Sequence, residues 1–188
     1  MEICKAKQAL RKDMACRKKE YSPACLSARS LEALNRLEAV DLFRQAKSVS
    51  LYHALPGEVE TTAFIAQWAK AKTIFLPAVE GNNLSLHPYK GTHTLRSGAF
   101  GIMEPEREES FPAEQIDLII LPGIAFDRQC NRLGRGKGYY DRLLTTLPVP
   151  KIGLCFDFQL LDEIPVEPFD IPMDMVVTDK ESIESWKR

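Results

Sequence analysis

Between Asn131 and Asp141 the chain reads NRLGRGKGYYD, with Gly134, Gly136 and Gly138 alternating with Arg135 and Lys137. Glycine at every second position allows positive φ and a close backbone approach, so the amide N–H groups can turn toward an anion. Glycine spacing alone is better explained as a turn with solvated basic residues. The balance moves to an anion site because three cations, Arg132, Arg135 and Lys137, fall within six residues on a loop between the strand-like IDLIIL with its PGIAFD extension and the helical DRLLTTL. The start of that helix would add free N–H groups and its dipole. The implied chemistry is the holding of phosphate. Gly138 follows Lys137 where a Walker A loop needs Ser or Thr, and Tyr139 stands where G-x-G-x-x-G needs its last glycine, so neither of those loops is present.

Other residues have chemistry that spacing leaves open. Lys7 and Arg11 are four apart and share a helix face; an anion between them would offset their repulsion, yet the surrounding Lys5, Lys12, Arg17, Lys18 and Lys19 suit an ordinary solvated face. Glu58 and Glu60, in PGEVET, lie at the carboxyl end of a strand, where open α/β sheets bind ligands, or else favour the start of a helix near Thr61. Asp141 is either a helix-end charge or, beside phosphate, a hard carboxylate for Mg2+. Tyr139 and Tyr140 are core or pocket wall, and flat aromatic faces suit stacking on a ring. His87 and His93 lack metal spacing and read as surface residues, while Trp68 and Trp186 read as packing residues. No cysteine has the context of a nucleophile.

The elements that must position these groups read as a three-layer α/β fold, a mainly parallel sheet flanked by helices and preceded by an N-terminal helical pair. Ile3 to Glu20 is rich in helix formers; Ser22 and Pro23 suit an N-cap and first turn for a second helix to about Leu42, with Leu26, Leu31, Leu34 and Leu37 on its apolar side. Ser48–Leu55, Thr73–Val79, Ile116–Leu121 and Lys151–Phe156 read as strands, and the unbroken apolar IDLIIL suits a strand covered on both faces. Leu84–Lys90 reads as an edge strand or hairpin arm, and Glu104–Glu114 as a surface loop. The 188 residues fit a single domain, 1–188, able to bury a core without disulfides. A charge balance of 25 basic to 26 acidic residues argues against nucleic acid or an anionic membrane as main partner. Five cysteines without a C-x-x-C pair suggest free thiols in the cytoplasm, and neither a membrane span nor a signal peptide is evident.

PGIAFD, RLGRGKGYYD, KQALR (Lys7 to Arg11), GEVET and a late carboxylate, in this order over nearly the whole chain, resemble the 5-formyltetrahydrofolate cyclo-ligase family, also called 5,10-methenyltetrahydrofolate synthetase. The resemblance implies ATP- and Mg2+-dependent cyclisation of 5-formyltetrahydrofolate, a reduced folate, to 5,10-methenyltetrahydrofolate with release of ADP and phosphate through a phosphorylated formyl group. It assigns ATP to Lys7, Arg11, Arg132, Leu133, Gly134, Arg135, Gly136, Lys137, Gly138, Tyr139 and Tyr140, with Arg135 and Lys137 catalytic. Folate goes to His53, Glu58, Arg135, Gly136, Lys137, Gly138 and Tyr139, and the metal to Asp141 and Asp170, with Asp174 the competing choice for the second carboxylate. Glu58 would take the N–H edge of the pterin in a bidentate way. His53 departs from the aliphatic residue that relatives can carry there and is expected to be a wall contact. Phe100 resembles an aromatic position of the family, though core packing accounts for it equally well. A monomer with no nucleic-acid or membrane partner is expected. A kinase or ligase for another substrate, or an RNA-binding module using the basic first helix, are the rival readings; near-neutral charge and the absence of aromatic single-strand motifs weigh against the second.

Overall fold

The structure is a computed structural model and describes residues 2–98, 103–105 and 116–185. In chain order its elements are α1 (Glu2–Lys18), α2 (Pro23–Ala39), α3 (Asp41–Gln45), β1 (Ser48–Ser50), α4 (Thr62–Trp68), β2 (Thr73–Glu80), β3 (Asn83–Pro88), β4 (Leu95–Ser97), β5 (Met103–Pro105), β6 (Leu118–Leu121), β7 (Ala125–Asp127), β8 (Arg132–Leu133), α5 (Tyr139–Thr146), β9 (Lys151–Leu154), β10 (Leu160–Leu161), β11 (Met175–Val177) and β12 (Ser182–Glu184).

Seven strands form the main sheet in the order β12-β11-β9-β6-β1-β2-β3. Its inner pairs are parallel, and the edge strands β12 and β3 run antiparallel. Alternation of side chains explains the three layers. Leu118 and Ile120 of β6 join Ile74 and Leu76 of β2 on the face covered by Leu34 and Leu37 of α2 and Phe64 and Ile65 of α4. Ile119 and Leu121 join Phe75 and Val176 on the other face, under Leu144 of α5. Every residue of β6 is therefore buried, as a strand covered on both sides requires. From β1 the chain steps to β2 on one side, and from β6 to β9 on the other, so the winding reverses between these neighbours. The carboxyl ends of β1 and β6 consequently open a crevice.

Ser22 stays extended and its Oγ accepts the Cys25 N–H at 3.2 Å, with Pro23 at the first helical position of α2. The expected helix to Leu42 instead stops at Ala39: Val40 is extended, and α3 restarts so that Phe43 reaches the core fully buried. In an unbroken helix Phe43 would point about 120° away from Leu37. Leu31 is 62% exposed and leaves the apolar side; the buried face is centred on Ser30, Ala33, Leu34 and Leu37. Ser48–Leu55 shortens to Ser48–Ser50, because the chain leaves the sheet after Leu51 donates its N–H to the Phe75 carbonyl. His87 is buried rather than on the surface, its Nε2 lying 2.9 Å from Ser85 Oγ. Glu104 is buried within β5, not in a surface loop; the rest of that expected loop beyond Pro105, and Phe100 and Trp186, lie outside the described residues. His93 is exposed, and Trp68 packs edge-on to Phe43 at 5.0 Å.

Candidate active site

The glycine loop hangs between β8 and α5. Below it the Asp127–Asn131 turn is fixed by Asp127, whose Oδ1 accepts the N–H groups of Gln129 and Asn131 at 3.0 and 2.8 Å. Gly136 and Gly138 have φ of 94° and 67°, which side chains disfavour, and Gly138 is the N-cap of α5. Gly134 lacks this conformation; a Cβ there would lie 3.0 Å from Arg132 Nη1. Arg11 crosses from α1, donates from Nε to the Gly134 carbonyl at 2.8 Å, and packs its guanidinium against Gly136. Lys7, one turn earlier, is buried and binds Glu167 at 2.8 Å and Asp170 at 2.5 Å. Burial alone would lower its pKa, but the two carboxylates outweigh that and hold the ammonium above its ordinary value.

Arg132 is buried beneath the loop: Nη2 donates to Asp141 at 2.9 Å, the guanidinium lies 5.4 Å from the Tyr140 ring centre, and Nε has no hydrogen-bond partner among the described residues. A buried guanidinium N–H left unpaired is a place for an anion's oxygen or a water. Lys137 is exposed and makes no ion pair among the described residues. Arg135 reaches across to the segment after β1, where Nη2 donates to Glu58 Oε1 at 2.8 Å. Glu58 Oε2 accepts the Leu55 N–H at 2.9 Å, while the helix-start role falls to Glu60, which accepts from Thr62 N and Oγ1. Burial first, and then the Glu58 charge, push the phenols of Tyr52 and Tyr140 upward, so both stay neutral donors at neutral pH.

These groups enclose one cavity of about 710 Å³ at the carboxyl ends of β1 and β6. Every residue assigned from the sequence, from Lys7 and Arg11 through His53, Glu58 and Arg132 to Asp141 and Asp170, lines it, as do Leu133, Gly134, Arg135, Gly136, Lys137, Gly138, Tyr139 and Tyr140. Asp174 does not; it faces a separate groove and pairs with Lys151 at 3.1 Å. The sequence reading missed Arg142, which donates to the carbonyls of Asn82 and Lys137 and so ties the loop to the β2–β3 hairpin. It also missed Glu167, Phe169 and Tyr52, which no motif marks.

A cavity that joins a cationic glycine loop to a nearly buried carboxylate suits a ligand pair of phosphate and hydrogen-bond donor edge. The profile of the 5-formyltetrahydrofolate cyclo-ligase family matches residues 3–179. The chain belongs to that family. The cyclo-ligase of Haemophilus influenzae is 33% identical over 158 residues, covering 75% of this chain and 78% of its own; that of Escherichia coli K12 is 31% identical over 172 residues, covering 86% and 94%. Among solved structures, Aquifex aeolicus 5,10-methenyltetrahydrofolate synthetase superposes with a TM-score of 0.88 at 37% identity, covering 97% of this chain and 94% of that one. The Mycoplasma pneumoniae synthetase gives 0.75 at 26% identity, covering 93% and 99%. The cyclo-ligase fold is thus the α/β sheet described above, and the chain is an enzyme of ligase type, a class that uses ATP.

Proposed function

We propose that this enzyme cyclises 5-formyltetrahydrofolate to 5,10-methenyltetrahydrofolate at the expense of ATP and with Mg2+. The observation that carries the reading is the Arg135–Glu58 contact at 2.8 Å: one side chain spans the distance between the phosphate-type loop and the carboxylate suited to a pterin edge. The two substrates therefore meet at Arg135. A formyl oxygen leaves poorly from carbon. Transfer of the γ-phosphoryl to that oxygen makes it a phosphate ester; N10 then attacks the carbon, the C–O bond breaks with its electron pair going to phosphate, and N10 loses its proton as the ring closes. Positioning and charge neutralisation suffice for such a transfer.

In this reading Lys7 and Arg11 hold the nucleotide phosphates, the amides of Gly134, Gly136 and Gly138 cradle them, and Arg135 and Lys137 face the migrating group. Arg132, Leu133, Tyr139 and Tyr140 complete the nucleotide wall. Glu58 takes the pterin edge, with His53 as a wall contact and Tyr139 and the loop glycines against the ring. Asp141 and Asp170 fit Mg2+: both are hard carboxylates on the cavity, too few for a protein-only cage and suited to an ion that keeps waters and phosphate oxygens. When bound, the ion would draw charge from the phosphates. Asp141 now pairs with Arg132 and Asp170 with Lys7, so metal binding means an exchange of partners.

We further infer a single domain acting as a cytoplasmic monomer on a reduced folate, without nucleic-acid or membrane partners. All five cysteines are free, which suits a reducing compartment, and among the described residues no helix is long and apolar enough to cross a membrane. The purified chain, mixed with 5-formyltetrahydrofolate, ATP and Mg2+, is expected to develop the absorbance of the methenyl product; turnover without ATP would refute the mechanism.

A further inference from the structure

Contacts around the cavity run in one order. Glu58 meets Arg135, the neighbouring Gly134 carbonyl meets Arg11, Lys7 lies one helical turn before Arg11, and Lys7 binds Glu167 and Asp170. At the end of that series, farthest in contacts from Glu58, stands Phe169. It lines the same cavity yet is 67% exposed, the most exposed large apolar side chain among the described residues.

Its exposure is built in. Residues 167–170 form a turn closed by the Asp170 N–H on the Glu167 carbonyl at 3.0 Å, with Pro168 presetting the first corner and Phe169 at the second. Asp170 Oδ2 accepts the Glu167 N–H at 2.6 Å, and Lys7 pins both carboxylates from α1. A loop this heavily braced holds an exposed ring at the cavity edge, with the Lys7 ammonium 5.6 Å from the ring centre. An aromatic face at this place offers stacking to a flat ligand, and it adjoins the cation next to the phosphate-type loop.

We propose that Phe169 is the platform on which the base of the nucleotide stacks, so that the nucleotide lies with its base at the Glu167–Asp170 turn and its phosphates along Lys7, Arg11 and the glycine loop. This rests on the nucleotide reading given above. Every base has a π face, so the platform contributes affinity without strict base choice.

The test uses the full chain and two probes, a non-hydrolysable ATP analogue and inorganic tripolyphosphate, titrated calorimetrically into wild type, Phe169→Ala and Phe169→Trp. Loss of one base–aromatic stack is expected to weaken the analogue about tenfold in Phe169→Ala. Tripolyphosphate, which has no base, should bind that variant as it binds wild type, and Phe169→Trp should restore the analogue. Unchanged analogue affinity in Phe169→Ala would overturn the proposal, and so would an equal loss for both probes, which would make Phe169 a support of the phosphate site. A selective loss of 5-formyltetrahydrofolate binding would also overturn it by assigning the ring to folate. Wild-type protein that binds neither probe would remove the nucleotide reading itself and the platform with it.

Discussion

Replacing Glu58 by Gln separates the two ligands in one experiment. The Glu58 side chain is 9% exposed, and its charge is balanced by Arg135 on Oε1 and the Leu55 N–H on Oε2. Gln keeps the shape, but it offers a donor where the pterin edge also presents a donor, and it removes the charge that strengthens both bonds. Losing such a pair in a desolvated wall costs about 2 to 4 kcal/mol, which is roughly 30-fold to several hundredfold in folate affinity. The effect on the nucleotide has the opposite sign. Arg135 is 51% exposed, so its pair with Glu58 is worth only about 0.2 to 1 kcal/mol after solvent screening. Breaking that pair frees the guanidinium before phosphate arrives, and the ATP analogue alone should bind up to about fivefold tighter. Calorimetric titration of wild type and Glu58→Gln with 5-formyltetrahydrofolate, and separately with the analogue, measures both changes. Unchanged folate affinity would take Glu58 out of the site. Weaker analogue binding would mean that Glu58 positions Arg135 for the nucleotide instead of withholding it.

Lys137→Ala should lower kcat/KM about a hundredfold and leave Tm within about 2 °C, since the ammonium is exposed and pairs with no carboxylate among the described residues. Arg135→Ala should lower kcat/KM similarly and also lower Tm, because a nearly buried Glu58 loses its partner; an unchanged Tm would contradict the pairing. Excess chelator should stop methenyl formation, and turnover that persists would refute the Mg2+ requirement. Burial pushes the Cys130 thiol up to about 11 and also raises Cys155, so the folded state holds protons that the unfolded chain releases near its ordinary value of 9.0. Stability present below that value should therefore fall as the pH rises toward 11, and Cys130→Ala should flatten the decline measured by chemical denaturation.

Short-range signals were the legible ones. GRGKG needed only its own glycines and cations to announce a loop before a helix, and β2, β6 and β9 were visible in runs whose alternation serves two buried faces. Ser22-Pro23 marked the start of α2 for local steric reasons. What stayed hidden depends on partners far along the chain. Lys7 read as solvated among its basic neighbours because Glu167 and Asp170 lie 160 and 163 residues away. Arg142 looked like an ordinary helix residue until the hairpin carbonyl of Asn82 came beside it. His87 alternates like a surface residue of an edge strand, yet it stands beside Leu76 on the face of the sheet opposite α5 and is buried there. The family resemblance supplied Leu133, His53 and the roles of both aspartates, none of which residue type or spacing could rank.

Helix α1 forms a wall of the cavity although none of its residues joins either core layer of the main sheet, and of its residues only Lys7 and Met14 are buried. Met14 joins Ala125, Leu133 and Ile164 in a small apolar cluster on which Leu10 also packs; further anchors are the Lys7 ion pairs, the Arg11 bond to Gly134 and the Lys18 bond to the Pro56 carbonyl. Its amide protons should exchange with solvent well before those of β6, since lifting one mostly exposed, polar helix uncovers far less apolar surface than opening the sheet. Ionic strength should hasten that exchange in α1 and leave β6 alone. A nucleotide spanning Lys7, Arg11 and the glycine loop would slow it, so occupancy of the cavity can be read from the protection of a helix that few buried side chains otherwise hold in place.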